Sequence, residues 1–382
     1  MEPTGPLRVG MVAGEVSGDL LAGLLLSGLR QRWPDLHAFG IGGPHMAGQG
    51  FDALWPHDKL AVRGYVEVLR HYREIVGIRR QLKARLLAER PPLFIGVDAP
   101  DFNLELEAAL RPAGIRTVHF VCPSIWAWRA GRVARIREAV DHVLCIFPFE
   151  PELLAAHGIA ATYVGHPLAS VIPQQPDAAA ARHALGLPPQ GEVIAVLPGS
   201  RGSEVRYLAP VFFEAVREIR RARPKARFVV PVLAPLRPAI LHAVRAAGVE
   251  DAVMLLDGRS HEALAACDVT LIASGTATLE AALFKRPMVI AYRMNAISWN
   301  IMRRQALQPW VGLPNILLRE MAVPELLQND ATAQHLASSV LEWLDSPARM
   351  AAVQKKFDAL HHRLRRDTAT LATHAIAQVL AA

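Results

Sequence analysis

Two loops rich in glycine, hydroxyl groups and charge carry the residue types that bind phosphate. The first, LPGSRGSEV at 197 to 205, places Gly199, Ser200 and Arg201 directly after an apolar run. Backbone amides at a helix start and a guanidinium group both bind phosphate oxygens, and glycine permits close backbone approach. The loop therefore predicts an anion site with Arg201 as its permanent charge. A helix cap carrying a surface arginine is the alternative.

The second loop is ASGTATLE at 273 to 280, which again follows an apolar run. Ser274, Gly275 and Thr276 would open a helix whose amides meet a phosphate, and Glu280 would accept hydrogen bonds from ribose hydroxyls. A simple capping arrangement explains the same residues. Two such loops in one half of the chain favour a nucleotide site.

Carboxylates follow apolar runs in the first half of the chain. In VAGEVSGD at 12 to 19, Glu15, Ser17 and Gly18 are expected to line a cleft and bind substrate, and the carboxylates of Glu15 and Asp19 suit sugar hydroxyls better than a phosphate. The pattern is neither a dinucleotide fingerprint nor a Walker loop, which disfavours nicotinamide, flavin and ATP-hydrolysing enzymes.

Asp98 opens the segment DAPDFN, just after PLFIGV, where a carboxylate can take a proton from an attacking hydroxyl. We predict Asp98 as the general base and Asn103 as a substrate ligand. Glu15, Asp19 and Asp101 remain alternatives for the base, and Asp101 is also a candidate helix cap.

Weaker signals come from aromatic and amide side chains at strand ends or turns. Trp126 and Trp128 in CPSIWAWR suit either stacking on a sugar, contact with an acyl chain, or a core position. Asn315 in GLPN is expected to bind a base or phosphate. His166 in VGHPL is interpreted as structural.

Short apolar runs alternate with helical patterns twice along the chain, which predicts an α/β protein with two Rossmann-like domains whose parallel sheets face a central cleft. The predicted strands are 7–13, 92–97, 116–121 and 142–147, then 192–197, 227–232, 253–257, 268–273 and 287–292. We predict domains at 1–170 and 171–345, joined by a Pro/Gln/Ala-rich linker at 171 to 181. Helices at 346–382 are expected to pack back on the first domain.

Composition narrows the class of protein. The 382 residues are 52% hydrophobic, with a formal net charge of +7 that favours an anionic partner. No nucleic-acid motif is evident, so we expect no nucleic-acid partner. Three separated cysteines fit neither disulfides nor a zinc site, and no apolar stretch is long enough to span a bilayer. These features predict a cytoplasmic protein.

The segment from 59 to 90 holds nine Lys/Arg against three Glu, interleaved with apolar residues. This composition suits a helix that lies on an anionic membrane surface, although an ordinary amphipathic helix packed on a sheet has the same pattern. The residues expected to enter the acyl boundary are Val66, Val68, Leu69, Tyr72, Ile75 and Val76.

Six ordered motifs together resemble the lipid-A-disaccharide synthase family: VAGEVSGD, DAPDFN, PSIWAWR, LPGSRGSEV, ASGTATLE and GLPN. The resemblance covers essentially the whole chain. It implies a GT-B glycosyltransferase that transfers 2,3-diacylglucosamine, with inversion, from UDP-2,3-diacylglucosamine to the 6-hydroxyl of 2,3-diacylglucosamine 1-phosphate (lipid X). The products would be UDP and a β-1,6-linked lipid A disaccharide 1-phosphate.

The resemblance also implies where substrates bind and where the protein works. UDP would lie among Arg201, the turn at 274 to 280 and Asn315, with Asp98 near the acceptor hydroxyl. The protein would be peripheral on the inner face of the inner membrane, with a homodimer left open. Because Asp-x-Asp is absent, neither a metal nor a cofactor is expected. Alternatives are another UDP-N-acetylglucosamine-using enzyme, either a peptidoglycan lipid precursor transferase or a 2-epimerase, and a non-enzymatic nucleotide-binding module.

Overall fold

The structure of the protein is a computed structural model that describes residues 6–60, 65–127, 131–305 and 307–382. The side chains at 16, 58, 65–72, 297 and 301 also lie outside this description. The chain divides into two compact units. One contains the residues up to Pro167 together with Leu364–Ala382, and the other is Leu168–Arg363.

Each unit contains one sheet in which every strand pairing is parallel. The first sheet has the order β3-β2-β1-β4-β5-β6-β7, with β1 (Arg8–Ala13), β2 (His37–Gly42), β3 (Asp52–Pro56), β4 (Leu93–Val97), β5 (Arg116–Phe120), β6 (His142–Cys145) and β7 (Ala161–Tyr163). The second has the order β10-β9-β8-β11-β12-β13, with β8 (Val193–Leu197), β9 (Arg227–Val232), β10 (Val253–Asp257), β11 (Val269–Ala273), β12 (Met288–Tyr292) and β13 (Glu325–Leu327).

The helices connect these strands and cover the sheets. They are α1 (Val16–Arg32), α2 (Pro44–Ala47), α3 (Tyr65–Glu89), α4 (Pro100–Leu110), α5 (Arg132–Ala139), α6 (Glu150–Ala155), α7 (Leu168–Val171), α8 (Ala178–Ala184), α9 (Gly202–Ala222), α10 (Arg237–Ala247), α11 (Ser260–Ala266), α12 (Thr276–Leu283), α13 (Ala296–Gln305), α14 (Leu313–Leu318), α15 (Ala333–Leu344), α16 (Pro347–Leu364) and α17 (Thr368–Ala381). Short 3-10 turns lie at His57–Lys59, Arg111–Ala113, Ala234–Leu236 and Gln328–Asp330.

The central strands form where the sequence has continuous apolar runs, because both faces of a parallel sheet are covered by helices. Every residue of β4, β8 and β11 is buried. Strands β3, β7 and β13 were not predicted, since they are short and mostly half-buried or exposed and lack such a run. Strand β2, HAFGIG, was missed because two glycines interrupt its apolar pattern.

Strand order reverses once in each sheet, between β1 and β4 and between β8 and β11. The helices that follow the two central strands leave in opposite directions, so the loops after those strands open a crevice at the carboxyl edge. The crevice in each sheet is therefore bordered by the two loops that the sequence analysis selected.

The C-terminal helices divide between the two units. Residues up to Arg363 belong to the second unit, whereas α17 packs on α1 in the first. The two helices approach closely at Gly28, where a methyl group would stand 2.7 Å from Ala369 O and 2.8 Å from Thr373 Oγ1. Glycine at position 28 is thus required for this packing.

We predict that Gly28→Ala lowers the free energy of unfolding by about 1–3 kcal/mol, because the added methyl forces α17 away from α1. Gly77→Ala is the matched control, since Gly77 is also helical and a methyl there meets nothing within 4 Å. That change should stabilise the protein by up to about 1 kcal/mol through helix propensity. Thermal melts make the comparison, and equal midpoints for the two variants would contradict the packing described.

Candidate functional site

A cavity of about 300 Å³ lies at the carboxyl ends of β8, β9, β10 and β11 in the second unit. Its volume is at the lower end of the range for small-molecule sites. The lining residues are Leu197, Gly199, Ser200, Arg201, Glu204, Pro231, Val232, Leu233, Gly258, Ser260, Ala273, Ser274, Gly275, Thr276, Ala277 and Glu280. Both predicted phosphate-binding loops therefore border one cavity.

The start of α12 forms one wall of this cavity. Gly275 precedes the helix with φ 152°, and its carbonyl accepts hydrogen bonds from Thr278 N at 3.1 Å and Thr278 Oγ1 at 2.7 Å. Ser274 Oγ donates to Val311 O at 2.9 Å, which fixes the preceding residue. The amides of Thr276 and Ala277 have no acceptor within a helix that starts at Thr276. They supply the partial positive charge on which an anion binds.

The loop before α9 is organised differently from the prediction. The amides of Ser200 and Arg201 donate to Glu204 Oε2 at 3.0 and 3.2 Å, so an internal carboxylate already occupies the donors predicted to cradle an anion. Gly199 permits this turn: its φ is 130°, and a methyl group there would stand 2.7 Å from Glu204 Oε2. The capping alternative thus describes the backbone, while the Arg201 side chain is exposed, lines the cavity and pairs with Glu204 Oε1 at 3.1 Å.

Glu280 faces the cavity from the second turn of α12. Its Oε2 lies 3.5 Å from Nε2 of His261, which belongs to α11. Hydrogen bonding to Glu280 raises the pKa of His261, and burial opposes that rise. Because the imidazole restrains one carboxylate oxygen, Glu280 is placed to accept hydrogen bonds from a bound hydroxyl with the other.

In the first unit, Asp98 follows β4 in an unusual backbone conformation. Asp98 and Ala99 have φ values of 51° and 44°, a left-handed pair without glycine. Such strain persists only where the surroundings hold it, and here Asp98 N donates to Phe120 O at 2.8 Å. The carboxylate borders a small cavity of about 150 Å³, shared with Cys122, Ser124 and others.

The electrostatics of Asp98 suit a group that exchanges protons. Burial raises the pKa of Asp98, the nearby charge of Glu15 adds to that rise, and His119 opposes it. A raised pKa makes a carboxylate a stronger base than an exposed aspartate. Glu15, at the end of the loop after β1, is half-buried and thus shares the crevice of this sheet with Asp98.

The remaining residues of the VAGEVSGD motif have separate positions. Ser17 is exposed, whereas Gly18 is buried. A methyl group added at Gly18 would lie 3.6 Å from Val97 O. Asp19 is buried and accepts hydrogen bonds from three amides at the start of α2: Gly43, His45 and Met46, at 2.8 to 3.1 Å. Its oxygens are occupied, so Asp19 is a helix cap and not a base.

Comparison with known proteins shows to which family this chain belongs. The family model described as lipid-A-disaccharide synthetase matches residues 9–379. The chain is 65% identical over 379 residues to a lipid-A-disaccharide synthase from Albidiferax ferrireducens, covering 98% of this chain and 97% of that protein. It is 61% identical to the Verminephrobacter eiseniae synthase, covering 98% of each. This chain belongs to the lipid-A-disaccharide synthase family.

Solved structures confirm the fold class at lower identity. A kitacinnamycin glycosyltransferase aligns with a TM-score of 0.61 at 16% identity, over 99% of this chain and 100% of that chain. A Neisseria meningitidis UDP-N-acetylglucosamine 2-epimerase aligns with a TM-score of 0.58 at 12% identity, over 98% and 99%. The predicted GT-B type with two parallel-sheet α/β domains is confirmed, as is the predicted enzyme class, a glycosyltransferase of lipid A biosynthesis.

Two amides in the family motifs lie inside the protein and border neither of the two cavities described above. Asn103 is fully buried, and its Nδ2 donates to Asp98 O at 2.8 Å. Asn315 is also fully buried; its amide exchanges hydrogen bonds with Val323 and donates to Glu325 Oε1 at 2.8 Å. The prediction that Asn103 and Asn315 contact substrate is therefore corrected. Both side chains are buried, and their hydrogen bonds position loops.

The structure also decides the roles left open for Asp101 and Trp126. Asp101 is exposed in the first turn of α4 and pairs with Arg132, so it is neither a base nor the N-cap. Trp126 is buried, donates from Nε1 to Glu150 Oε1 at 3.0 Å, and packs edge-on against Phe147. It takes the core position that the sequence left open. Trp128 lies outside the described residues.

The apolar residues of the 59 to 90 segment are only partly described. Ile75 and Val76 are half-buried, and Ile75 packs against the core cluster that includes Ile78 and Leu82. The side chains of Val66, Val68, Leu69 and Tyr72 lie outside the description. Within the described chain, no helix combines the length and apolarity needed to cross a membrane. The same residues contain no cluster of three His, Cys, Asp or Glu side chains suited to a metal.

Several residues that shape the sites were missed from the sequence. The role of Glu204 in holding the loop before α9 was not predicted, although its position three residues after Arg201 is the spacing of a capping box. His261 has no sequence signal linking it to Glu280, because the two lie on different helices. A signal did exist for His119, a polar residue inside the predicted apolar strand 116–121.

The buried carboxyl of Glu150 should make the free energy of unfolding depend on pH. Burial raises the pKa of Glu150 to about 8, although hydrogen bonds from Phe147 N and Trp126 oppose the rise. Between pH 6.5 and 8 the folded state therefore holds a proton that the unfolded chain has lost, so stability falls as pH rises. The part of this loss that is due to Glu150 should be about 1–2 kcal/mol in wild type over this window.

Glu150→Gln cannot ionise and should remove that loss. Denaturant unfolding at pH 6.5 and pH 8 measures it, with wild type and variant compared at each pH. His166, packed on Phe147, does not confuse the comparison, because burial lowers its pKa to about 4 and it is neutral throughout this window. A variant that loses stability in parallel with wild type would show that Glu150 is ionised in the folded state.

Proposed function

We propose that this protein joins two acylated glucosamines. It transfers 2,3-diacylglucosamine from UDP-2,3-diacylglucosamine to the 6-hydroxyl of lipid X with inversion, giving the β-1,6 lipid A disaccharide 1-phosphate and UDP. Family membership supports this reaction, since relatives at 65% and 61% identity carry the synthase name. The assignment of roles to residues rests on the two sites described above.

Asp98 is the proposed general base. Its carboxylate takes the proton of the 6-hydroxyl as the hydroxyl oxygen attacks the anomeric carbon of the donor sugar, and the bond from that carbon to the UDP oxygen breaks. Support comes from the strained backbone of Asp98 and Ala99 and from the burial that raises the pKa of Asp98. The rival carboxylates Asp19 and Asp101 are both committed to other partners.

UDP is proposed to bind in the 300 Å³ cavity of the second unit. The amides of Thr276 and Ala277 and the guanidinium of Arg201 would stabilise the charge that develops on the leaving diphosphate, and Glu280 would accept from the ribose hydroxyls. The observation that carries this proposal is the convergence of a helix start, an exposed arginine and a restrained carboxylate on one cavity.

We predict that UDP release by the purified protein requires both UDP-2,3-diacylglucosamine and lipid X. Asp98→Asn should lower kcat by about 100-fold or more, because the base is lost while the shape is kept. Arg201→Ala should lower kcat/KM by about 10- to 100-fold, since a charge-assisted contact to the diphosphate disappears. Coupled-enzyme detection of UDP gives both constants.

The matched controls are Asp101→Asn, next to Asp98 but exposed and paired with Arg132, and Arg220→Ala, at the far end of α9 and paired with Asp251. Both should retain wild-type rates. UDP release without lipid X would indicate hydrolysis. Equal activity on non-acylated UDP-N-acetylglucosamine would favour one of the alternative UDP-sugar enzymes and contradict the proposed reaction.

The protein is further proposed to act at the surface of the inner membrane, because both substrates carry acyl chains. Support comes from the excess of basic residues in the 59 to 90 segment, including the exposed Arg73 and Arg80 of α3. Ile75 is excluded from the proposed contact surface, since it packs in the core.

We predict that wild type sediments with vesicles containing phosphatidylglycerol and that the triple change Val66→Ser, Val68→Ser, Leu69→Ser weakens this binding about tenfold or more, through lost apolar burial. Val171→Ser is the control, because Val171 is an exposed apolar residue of the second unit. Unchanged vesicle binding in the triple variant would remove these three residues from the proposed surface.

A further inference from the structure

Beneath the Asp98 loop, α4 and β5 bury polar side chains against a single glycine. Asn103 and Glu107 lie one turn apart on α4, and His119 lies beside Gly96 in the register of β4 and β5. All three polar side chains are fully buried. A methyl group at Gly96 would clash with Glu107 Oε1 and stand 2.8 Å from Asn103 Cβ. Glycine at this position therefore allows the polar face of α4 to reach the sheet.

Glu107 holds the imidazole of His119 with both of its oxygens. His119 Nδ1 lies 2.8 Å from Oε1 and 3.1 Å from Oε2. The other ring nitrogen, Nε2, is buried without a hydrogen-bond partner in the described part of the chain. An apolar pair of similar volume would avoid the cost of burying these charges, so packing alone does not explain the pair.

The pair is connected to Asp98 through two backbone contacts. Asn103, on the same face of α4 as Glu107, donates to Asp98 O at 2.8 Å. Asp98 N donates to the carbonyl of Phe120, the residue that follows His119. The strand and the helix that carry the buried pair therefore also hold the Asp98 loop.

The charges of the three groups are coupled. Burial alone lowers the pKa of His119, but Glu107 and, to a smaller extent, Asp98 raise it above its usual value. Burial raises the pKa of Asp98, and His119 is the group that opposes this rise most. A protonated His119 and an ionised Asp98 thus stabilise each other.

We propose that His119, held by both oxygens of Glu107, is a positioning residue for Asp98: the helix and strand that carry this buried pair also hold the Asp98 loop, and the pair sets the surroundings in which Asp98 accepts the proton of the attacking hydroxyl. Neither His119 nor Glu107 touches substrate, because both are fully buried. The inference rests on the role of Asp98 proposed above and adds the group that sets the pH at which this base works.

Other charges near Asp98 come from three elements. Glu15 at the start of α1 opposes ionisation of Asp98, while Arg132 of α5 borders the same cavity and is paired with Asp101 of α4. The strands on either side of β5 place Gly96 and Val143 opposite His119, so they add no charge there. Of the groups named here, His119 is the one on the buried side whose positive charge would favour an ionised Asp98.

The test is the pH dependence of kcat/KM for UDP release in wild type and in the double variant Glu107→Gln/His119→Asn. The two amides keep a hydrogen bond but remove both charges. The acidic limb, where Asp98 becomes protonated, should move to higher pH by about one unit. Glu107→Gln alone should move it in the same direction, because His119 then loses its charge more readily.

Glu105→Gln is the matched control, since Glu105 is an exposed carboxylate on the same helix and pairs with Arg79. Its profile should coincide with that of wild type. A folded fraction that is constant with pH scales the profile without moving the limb, and circular dichroism of each variant at every pH of the profile identifies any unfolding that would imitate the shift. A double variant whose limb coincides with wild type would overturn the inference.

A titration without turnover separates this inference from the proposed function. Carboxyl ¹³C NMR, with the Asp98 signal assigned by its loss in Asp98→Asn, reports the pKa of Asp98 directly in wild type and double variant. We expect the pKa of Asp98 to rise by about one unit in the double variant. Failure of UDP release in wild type would count against the reaction, whereas an unshifted Asp98 titration would count against His119.

Discussion

The order of the parallel strands determines where both candidate sites of this protein lie. In each sheet the order reverses beside the first strand, between β1 and β4 and between β8 and β11. Only there do the loops after two adjacent central strands border a crevice, because the following helices leave on opposite sides. Asp98 and Glu15 lie at one reversal, and Arg201 and Ser274 lie at the other. The polar side chains of both candidate sites lie at these points because the backbone leaves room there.

Carboxylates that accept backbone amides supply much of the order around both crevices. Asp19 caps α2, Glu204 holds the loop before α9, and Glu325 accepts the amides of Val311 and Gly312 at 2.8 and 2.9 Å. The Gly43 and Met46 amides that Asp19 accepts are buried, and leaving such a donor without a partner would cost about 1–3 kcal/mol. In these three cases the carboxylate of a motif or its neighbour holds a loop.

A polar residue in a motif can hold a loop or bind a ligand, and this ambiguity explains where reasoning from the sequence succeeded and where it failed. The central strands were found because continuous apolar runs have few alternatives, and the six motifs were sufficient to identify the family. The roles of Asn103 and Asn315 were wrong, since a motif shows that an amide is needed but not which way it points. His261 and Glu107 had no visible role, because their partners lie on elements distant in sequence.

The sequence by itself determined the α/β class, the family and the loops that border each crevice, because apolar runs and motif order are local properties of the chain. Tertiary structure alone decided which polar side chain faces solvent and which is sealed inside. Glu204 reaches the amides of Ser200 and Arg201, and Glu107 reaches His119, only when helix and strand pack together. Hydrogen bonding and burial, which set a carboxylate's charge and its partner, depend on that packing.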